Sequence, residues 1–231
     1  MRLTYYLIIF FAALQLRAQD TLPRWFLGVV GGYNANYQRN TFIVPYWNGA
    51  TVFLPETGNS SIWGLAGEYR LNGEGRNAIQ LKTYYERVPG NFSWDTESSN
   101  GNFGNYSVQT NYDFIYFDIL YKYDIPFLSH TGLCLGPQIG FVTGTRYVVF
   151  GDEGNIYSAI DRQMPPSIIA DNSIPNAFKF QAGIKFGIQY EWMIHRFLIT
   201  PVVSYNYGIT NIAPGWHVNT LAGTVDVKYG L

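Results

Sequence analysis

Residues 178–192 read FKFQAGIKFGIQYEW, and their side chains sort by parity. Phe178, Phe180, Ala182, Ile184, Phe186, Ile188, Tyr190 and Trp192 form one set. Lys179, Gln181, Gly183, Lys185, Gly187, Gln189 and Glu191 form the other. Successive side chains on a strand point to opposite faces. The stretch is therefore a strand with one oily face and one polar, charged face. Two architectures use such a strand in opposite senses. A soluble sandwich buries the oily face and wets the polar one. A membrane barrel turns the oily face out to lipid and the polar face inward. The rest of the chain decides between them.

Seven further segments alternate in the same way, giving eight expected strands near 25–37, 61–71, 77–88, 109–123, 132–147, 178–192, 195–209 and 217–231. Three links are short: Asn72–Gly75 (NGEG), Asp124–Thr131, and Met193 with Ile194. Three are long: Gln38–Ser60, Pro89–Val108 and Val148–Ala177. The link around Asn211–Gly215 is brief. An even strand number, with short turns at one end and long loops at the other, is the rhythm of bacterial outer-membrane barrels, whose termini lie in the periplasm.

Parity then assigns the faces. The expected outward set includes Trp25, Leu27, Val29, Tyr33, Trp63, Leu65, Tyr69, Leu71, Ile79, Leu81 and Tyr85. It continues through Ile115, Phe117, Ile119, Tyr121, Tyr123, Leu133, Leu135, Ile139 and Phe141. Phe197, Ile199, Val203, Tyr205, Tyr207, Leu221, Val225, Val227, Tyr229 and Leu231 complete it. None is charged. The opposite parity holds Glu68, Arg70, Lys82, Glu86, Asp118, Lys122, Arg146, Lys179, Lys185, Glu191, Asp226 and Lys228. Gly28, Gly32, Gly64, Gly132, Gly136, Gly140, Gly183 and Gly187 share that face, where they are expected to leave room for long charged chains. An isolated buried charge is costly, so so many charges rule out a sandwich core. Inside a closed barrel they can pair, and closure removes the sheet edges that hydrocarbon does not tolerate. Aromatics gather at both ends of the strands, as the two interfacial girdles of a barrel require.

Composition agrees. Charged residues make up 13% of the 231, against about 25% in a soluble domain. Aromatics reach 18%, with 24 Gly and 19 Tyr. The net charge of −1 argues against nucleic acid as a partner. The single cysteine, Cys134, excludes an intrachain disulfide and a Cys metal site. Arg2, the apolar run Leu3–Leu16 and the small Ala18 have the form of a secretory signal over 1–18, leaving 19–231 as one barrel domain.

The passage Tyr116–Gly144 carries Tyr123-Asp124-Ile125-Pro126-Phe127 followed by Gly136-Pro137 and Gly140. With the Gly-rich opening strand LGVVGGYNANY (27–37), it resembles the PorT-like outer-membrane β-barrel family of Bacteroidetes-type bacteria. The resemblance implies an outer-membrane barrel and says little of activity. Pro126 cannot donate a ladder hydrogen bond and is expected to stop the fourth strand. The last strand, TLAGTVDVKYGL, is similar to the signal read by the barrel assembly machinery, the implied partner in biogenesis.

No catalytic, cofactor or metal set is expected. Lipid-modifying barrels need a nucleophile and base at lipid depth. Here His130 and His195 fall at periplasmic turns, and His217 could meet Ser107 or Ser204 only by register. The acidic stretch Gly151–Asn155 lacks EF-hand spacing. The interior charges Glu68, Arg70, Lys82, Glu86, Asp118, Lys122, Lys185, Glu191, Asp226 and Lys228 are expected to form a structural ion-pair network. Eight strands leave an interior that side chains fill. The long loops carry Tyr46, Trp47, Trp94 and Phe103, candidate contacts for an envelope or secretion-system protein, or lids that bury one another over the mouth. The reading is an all-β, eight-stranded antiparallel transmembrane up-and-down barrel. It would be non-enzymatic, bathed by outer-membrane lipid, and structural or partner-binding. A small-solute channel and a lipid-modifying enzyme are the alternatives.

Overall fold

The computed structural model describes residues 23–39, 54–55, 58–71, 76–97, 103–153, 167–174 and 176–231. The expected signal segment 1–18 and the loop residues Tyr46 and Trp47 lie outside them. None of the described residues is helical. The strands are β1 (Trp25–Arg39), β2 (Leu54–Pro55), β3 (Gly58–Arg70), β4 (Asn77–Glu97), β5 (Phe103–Asp124) and β6 (Thr131–Glu153). They continue as β7 (Ser167–Asn172), β8 (Phe180–Tyr190), β9 (Trp192–Ile194), β10 (Phe197–Gly208) and β11 (His217–Gly230).

Every pairing is antiparallel, and the ring runs β1-β3-β4-β5-β6-β8-β10-β11 before closing on β1. The seam is complete, from Phe26↔Gly230 to Arg39↔His217. No strand of the ring is left with an unpaired edge in hydrocarbon, which the bilayer requires. The fold is an eight-stranded antiparallel up-and-down transmembrane barrel. Its orientation is inverted relative to a soluble protein. Glu68, Lys122, Asp226 and Lys228 are buried, whereas Leu65, Ile188 and Val203 are about 60% exposed (61%, 58% and 62%). Soluble proteins rarely expose contiguous apolar patches above a few hundred Å²; here the apolar belt girdles the ring.

The height of that belt follows from the register. On β5 the outward side chains from Tyr121 to Ile115 are apolar or aromatic, and the first charge is Asp113. Its partner across the ladder is Arg87 of β4. Ten residues separate Tyr123 from Asp113. At a rise of about 3.4 Å and a tilt near 40°, they climb about 26 Å, the height of an outer-membrane apolar band.

Three expectations need correction. The stretches 89–108 and 148–177 are not loops throughout. β4 and β5 stay paired through Trp94↔Tyr106 to Glu97↔Phe103, and β6 pairs on to Glu153 and then with β7. Trp94 and Phe103 are thus strand residues. Cross-strand pairing carries β4 through the expected link, and Pro89 sits in the ladder opposite Asn111.

Second, Arg146 does not face the interior, and Lys179 is not buried in it. The register slips between Asp113 and Phe114: Phe114 faces Val142 while Asp113 faces Gly144, so Thr143 is an extra residue. Such a bulge inverts side-chain parity beyond it. Arg146 therefore points outward and Tyr147 inward, with Arg146 exposed and Tyr147 2% exposed. Lys179 keeps its inward parity, opposite Val142, but precedes β8 at the mouth and is exposed.

Third, most of the inward glycines make room for backbone rather than for charged chains. A Cβ on Gly28 would meet the Val227 carbonyl oxygen at 1.9 Å, and one on Gly64 would meet that of Thr83 at 2.1 Å. Gly140 instead accommodates the Tyr116 ring, 2.3 Å from a would-be Cβ.

Candidate functional site: a sealed lumen beneath an outward sheet

Apart from Arg146 and Lys179, the predicted interior network holds five acids and five bases: Glu68, Glu86, Asp118, Glu191 and Asp226 against Arg70, Lys82, Lys122, Lys185 and Lys228. All ten are buried. Their pairing follows the strands that carry them. At the periplasmic end Glu68 of β3 is the hub. Lys228 donates to it at 2.5 Å and Gln80 at 3.1 Å, with Lys122 at 3.6 Å and Arg70 at 3.7 Å. Lys122 also bonds Glu191 and reaches Asp124 at 3.2 Å. Arg70 lies 3.6 Å from Glu191 and stacks on the Phe26 ring at 4.7 Å.

The next layer toward the outside contains two pairs. Lys82 meets Asp226 at 2.8 Å, and Lys185 donates to Asp118 at 2.9 Å and to the Tyr84 hydroxyl at 2.8 Å. Gln138 donates to the same Asp118 at 3.0 Å. Asp124 supplies an acid that sequence parity did not place in the network, because it closes β5 at the rim. Glu86 is the member set apart. It accepts a hydrogen bond from Asn34 at 2.5 Å and has no cation within ion-pairing distance among the described residues. Cys134 is a buried free thiol.

Above the ion pairs the lumen becomes apolar. Tyr84, Tyr112, Phe114 and Tyr116 line one wall, with Phe114 and Tyr116 stacked at 5.0 Å. The short link between β10 and β11 folds into the mouth. Ile212, Ala213 and Trp216 are buried at 1%, 5% and 3% exposure, and the Trp216 ring meets Tyr112 edge-on at 5.3 Å. The Trp216 indole N–H donates to Gln38, whose amide donates to the Pro89 carbonyl at 2.7 Å. Ile174, between β7 and β8, joins the same cluster. The sequence reading missed this plug. Its only signal was that the fourth outer link is short and apolar where the others are long.

The outer rim carries two oriented pairs on the barrel's outside. Arg87 donates to Asp113 at 2.7 Å and to the Tyr85 hydroxyl at 3.2 Å, while Tyr85 donates to Asp113 at 2.5 Å. Arg146 forks onto Asp171 of β7 at 2.8 and 2.6 Å. That pair lies above the apolar band; its hydrogen bonds hold the Asp171 carboxyl below its usual range and raise the Arg146 guanidinium. Beyond the band β4, β5 and β6 continue as a sheet, flanked by β2 on β4 and β7 on β6.

Among the described side chains, which do not include that of Ser107, no nucleophile–base pair assembles. His217 faces outward against Tyr207 at 5.6 Å, whereas Ser204 is buried on the inward face. His130 and His195 are exposed turn residues with φ of 65° and 56°. On the exterior a depression of about 430 Å³ lies among Tyr33, Ala35, Val203, Leu221 and Gly223.

No family model matches the chain, and no curated protein matches it in sequence. Among solved structures, the chain is similar to Neisserial surface protein A at 12% identity and a TM-score of 0.41, covering 90% of this chain and 97% of that one. It is similar to Ail, the attachment invasion locus protein of Yersinia pestis, at 11% identity and a TM-score of 0.33, covering 88% and 98%. It is similar to the transport unit of the autotransporter AIDA-I from Escherichia coli at 10% identity and a TM-score of 0.27, covering 94% and 92%. The assignment of the fold rests on the strand register and face chemistry given above.

Proposed function

We propose that this protein is a non-enzymatic barrel of the bacterial outer membrane that presents a rigid sheet to an envelope or secretion-system partner and passes no solute. The observation that carries this reading is the contrast between its two ends. The lumen is filled by ion pairs below and an aromatic plug above. The strands β4–β6 nevertheless run on past the apolar band, farther than membrane spanning requires. Extra paired strand outside the bilayer adds nothing to insertion and offers a preorganised surface. The PorT-like motif at Tyr123–Phe127 supports membership of that family, and the alternating last strand supports assembly by the barrel machinery.

Two measurements test the proposal. In planar bilayers the folded chain should give no stable conductance; steady unitary currents would favour the channel reading. Crosslinking from the outward sheet in intact cells should capture one envelope protein. Loss of that capture on shortening the β4–β5 hairpin, with the barrel still folded, is the expected outcome.

A further inference from the structure

We infer that Glu86 is a proton-binding site of the lumen and stands beneath the aromatic plug as a neutral carboxylic acid. The ion pairs of the interior leave it out. The cations Arg70, Lys82, Lys122, Lys185 and Lys228 already lie against the acids Glu68, Asp118, Asp124, Glu191 and Asp226. Five cations thus meet five acids without Glu86. Ionised, it would add a negative charge that none of the described interior groups balances.

The surroundings of Glu86 do not supply that balance. Glu86 is 3% exposed. Across the ladder it faces Ile62 of β3 and Phe114 of β5, both buried, and the buried Val88 follows it on the inward face. Asn34 of β1 donates to Oε1 at 2.5 Å. The Asn34 carbonyl accepts from the Ser60 amide at 2.8 Å and the Ser60 hydroxyl at 3.0 Å, which turns the amide nitrogen toward Glu86. A neutral carboxyl still accepts that bond through Oε1 and carries the proton on Oε2. The charged and titratable groups that act on Glu86 are Lys185 of β8, Asp118 and Tyr116 of β5, and Tyr84 of β4. Lys185 donates to Asp118 at 2.9 Å and to the Tyr84 hydroxyl at 2.8 Å, so its charge is already engaged. Asp118 repels a second anion. Tyr116 donates to Gln181 and stays neutral. From β1 and β3 come Asn34, Ser60 and Ile62, none of which titrates. A buried carboxylate without a cation is so costly that the group keeps its proton instead. That proton allows an uncharged layer between the ion pairs below and the cluster of Tyr112 and Trp216 above.

The test is infrared difference spectroscopy of the full chain at neutral pH, wild type against Glu86→Gln. The chain is folded in dodecylphosphocholine micelles, which carry no ester carbonyl, and heat-dependent gel migration verifies folding of both proteins. The expected difference is the carbonyl stretch of a single carboxylic acid, present in the wild type, shifted in deuterium oxide and lost in the variant. The carboxylate bands should be unchanged. Loss of a carboxylate band in the variant, with no acid band in the wild type, overturns the inference. Should Glu86→Gln not fold, the wild type alone decides. Its acid band must convert to a carboxylate band as base is added, and absence of any acid band at neutral pH overturns the site. An acid band that vanishes on addition of sodium would assign the balancing charge to a metal cation and overturn the commitment to a proton. The inference needs only the closed lumen, so its failure leaves the conductance and crosslinking tests of the proposed function untouched.

Discussion

Lys82 and Asp226 lie 144 residues apart and meet at 2.8 Å inside the barrel. One projects from β4 and the other from β11, with β1 and β3 between them in the ring. The pair therefore ties opposite parts of the wall across the lumen. Removing one partner strands a buried charge, which costs about 3–5 kcal/mol, whereas replacing both with apolar groups of like volume can be neutral. Lys82→Met should accordingly lower the urea midpoint of unfolding from lipid vesicles by that energy. The double variant Lys82→Met/Asp226→Leu should recover most of it. A double variant as unstable as the sum of both singles would mean that the pair is not coupled.

Trp216 closes the mouth from a link of only a few residues. It fills a pocket against Tyr112 and bonds Gln38, so Trp216→Ala removes both packing and a satisfied donor. The expected loss is about 3–5 kcal/mol, the range for deleting a large buried aromatic. Conductance should stay absent, because the ion-pair layers below are untouched. Planar-bilayer recording of the variant separates a sealing role for Trp216 alone from sealing by the whole lumen.

Parity made most of this molecule legible in its sequence. The outward set from Trp25 to Leu231 and the ten buried interior charges follow from alternation alone, because the two faces of a barrel strand meet such different surroundings. What alternation could not carry were events that change its phase or override local signals. The Thr143 bulge leaves no mark in composition, so Arg146 is assigned to the wrong face by counting. The stretch from Pro89 reads as a long link, yet long-range pairing with β5 governs it. Trp216 looks like one more rim aromatic until the chain around Ala213 is seen to fold inward, with a bridge from Ala213 to Trp216.

Glycine substitutions should separate two kinds of wall. At Gly64 a Cβ would lie 2.1 Å from the Thr83 carbonyl oxygen and 2.5 Å from the Tyr84 Cα, both backbone atoms. Gly64→Ala should cost about 1–3 kcal/mol or prevent folding, as overpacking does. At Gly223 a Cβ would meet nothing within 4 Å, in the exterior depression. Gly223→Ala should stay within about 0.5 kcal/mol of wild type, the usual range for uncrowded surface positions. Urea midpoints of the two variants give the comparison.

Acid should loosen β7 before the barrel. The Arg146 hydrogen bonds hold the Asp171 carboxyl below its ordinary 3.8. A carboxyl with a depressed folded value contributes stability that is present above 3.8 and lost as pH falls through that lower value. Both groups are exposed, so the effect is confined to the clamp between β6 and β7. Protection of the 167–172 amides, corrected for the intrinsic pH dependence of exchange, should be unchanged from neutrality down to about pH 5 and should fall below the carboxyl's range. Exchange in β10 should not follow. Asp171→Asn should abolish the acid step.

The bulge at Thr143 makes the sharpest distinction, since it separates neighbours by face. Arg146 is exposed and Tyr147 is buried against the plug cluster. Replacing each by cysteine, in a chain whose native Cys134 is buried, reports the parity directly. Arg146→Cys should react rapidly with a membrane-impermeant maleimide on intact cells. Tyr147→Cys should react only after the barrel is unfolded. Without the extra residue the two would exchange places, because a one-residue shift turns every side chain beyond it to the other face. The reverse labelling pattern would remove the bulge from the fold and, with it, the outward Arg146–Asp171 clamp.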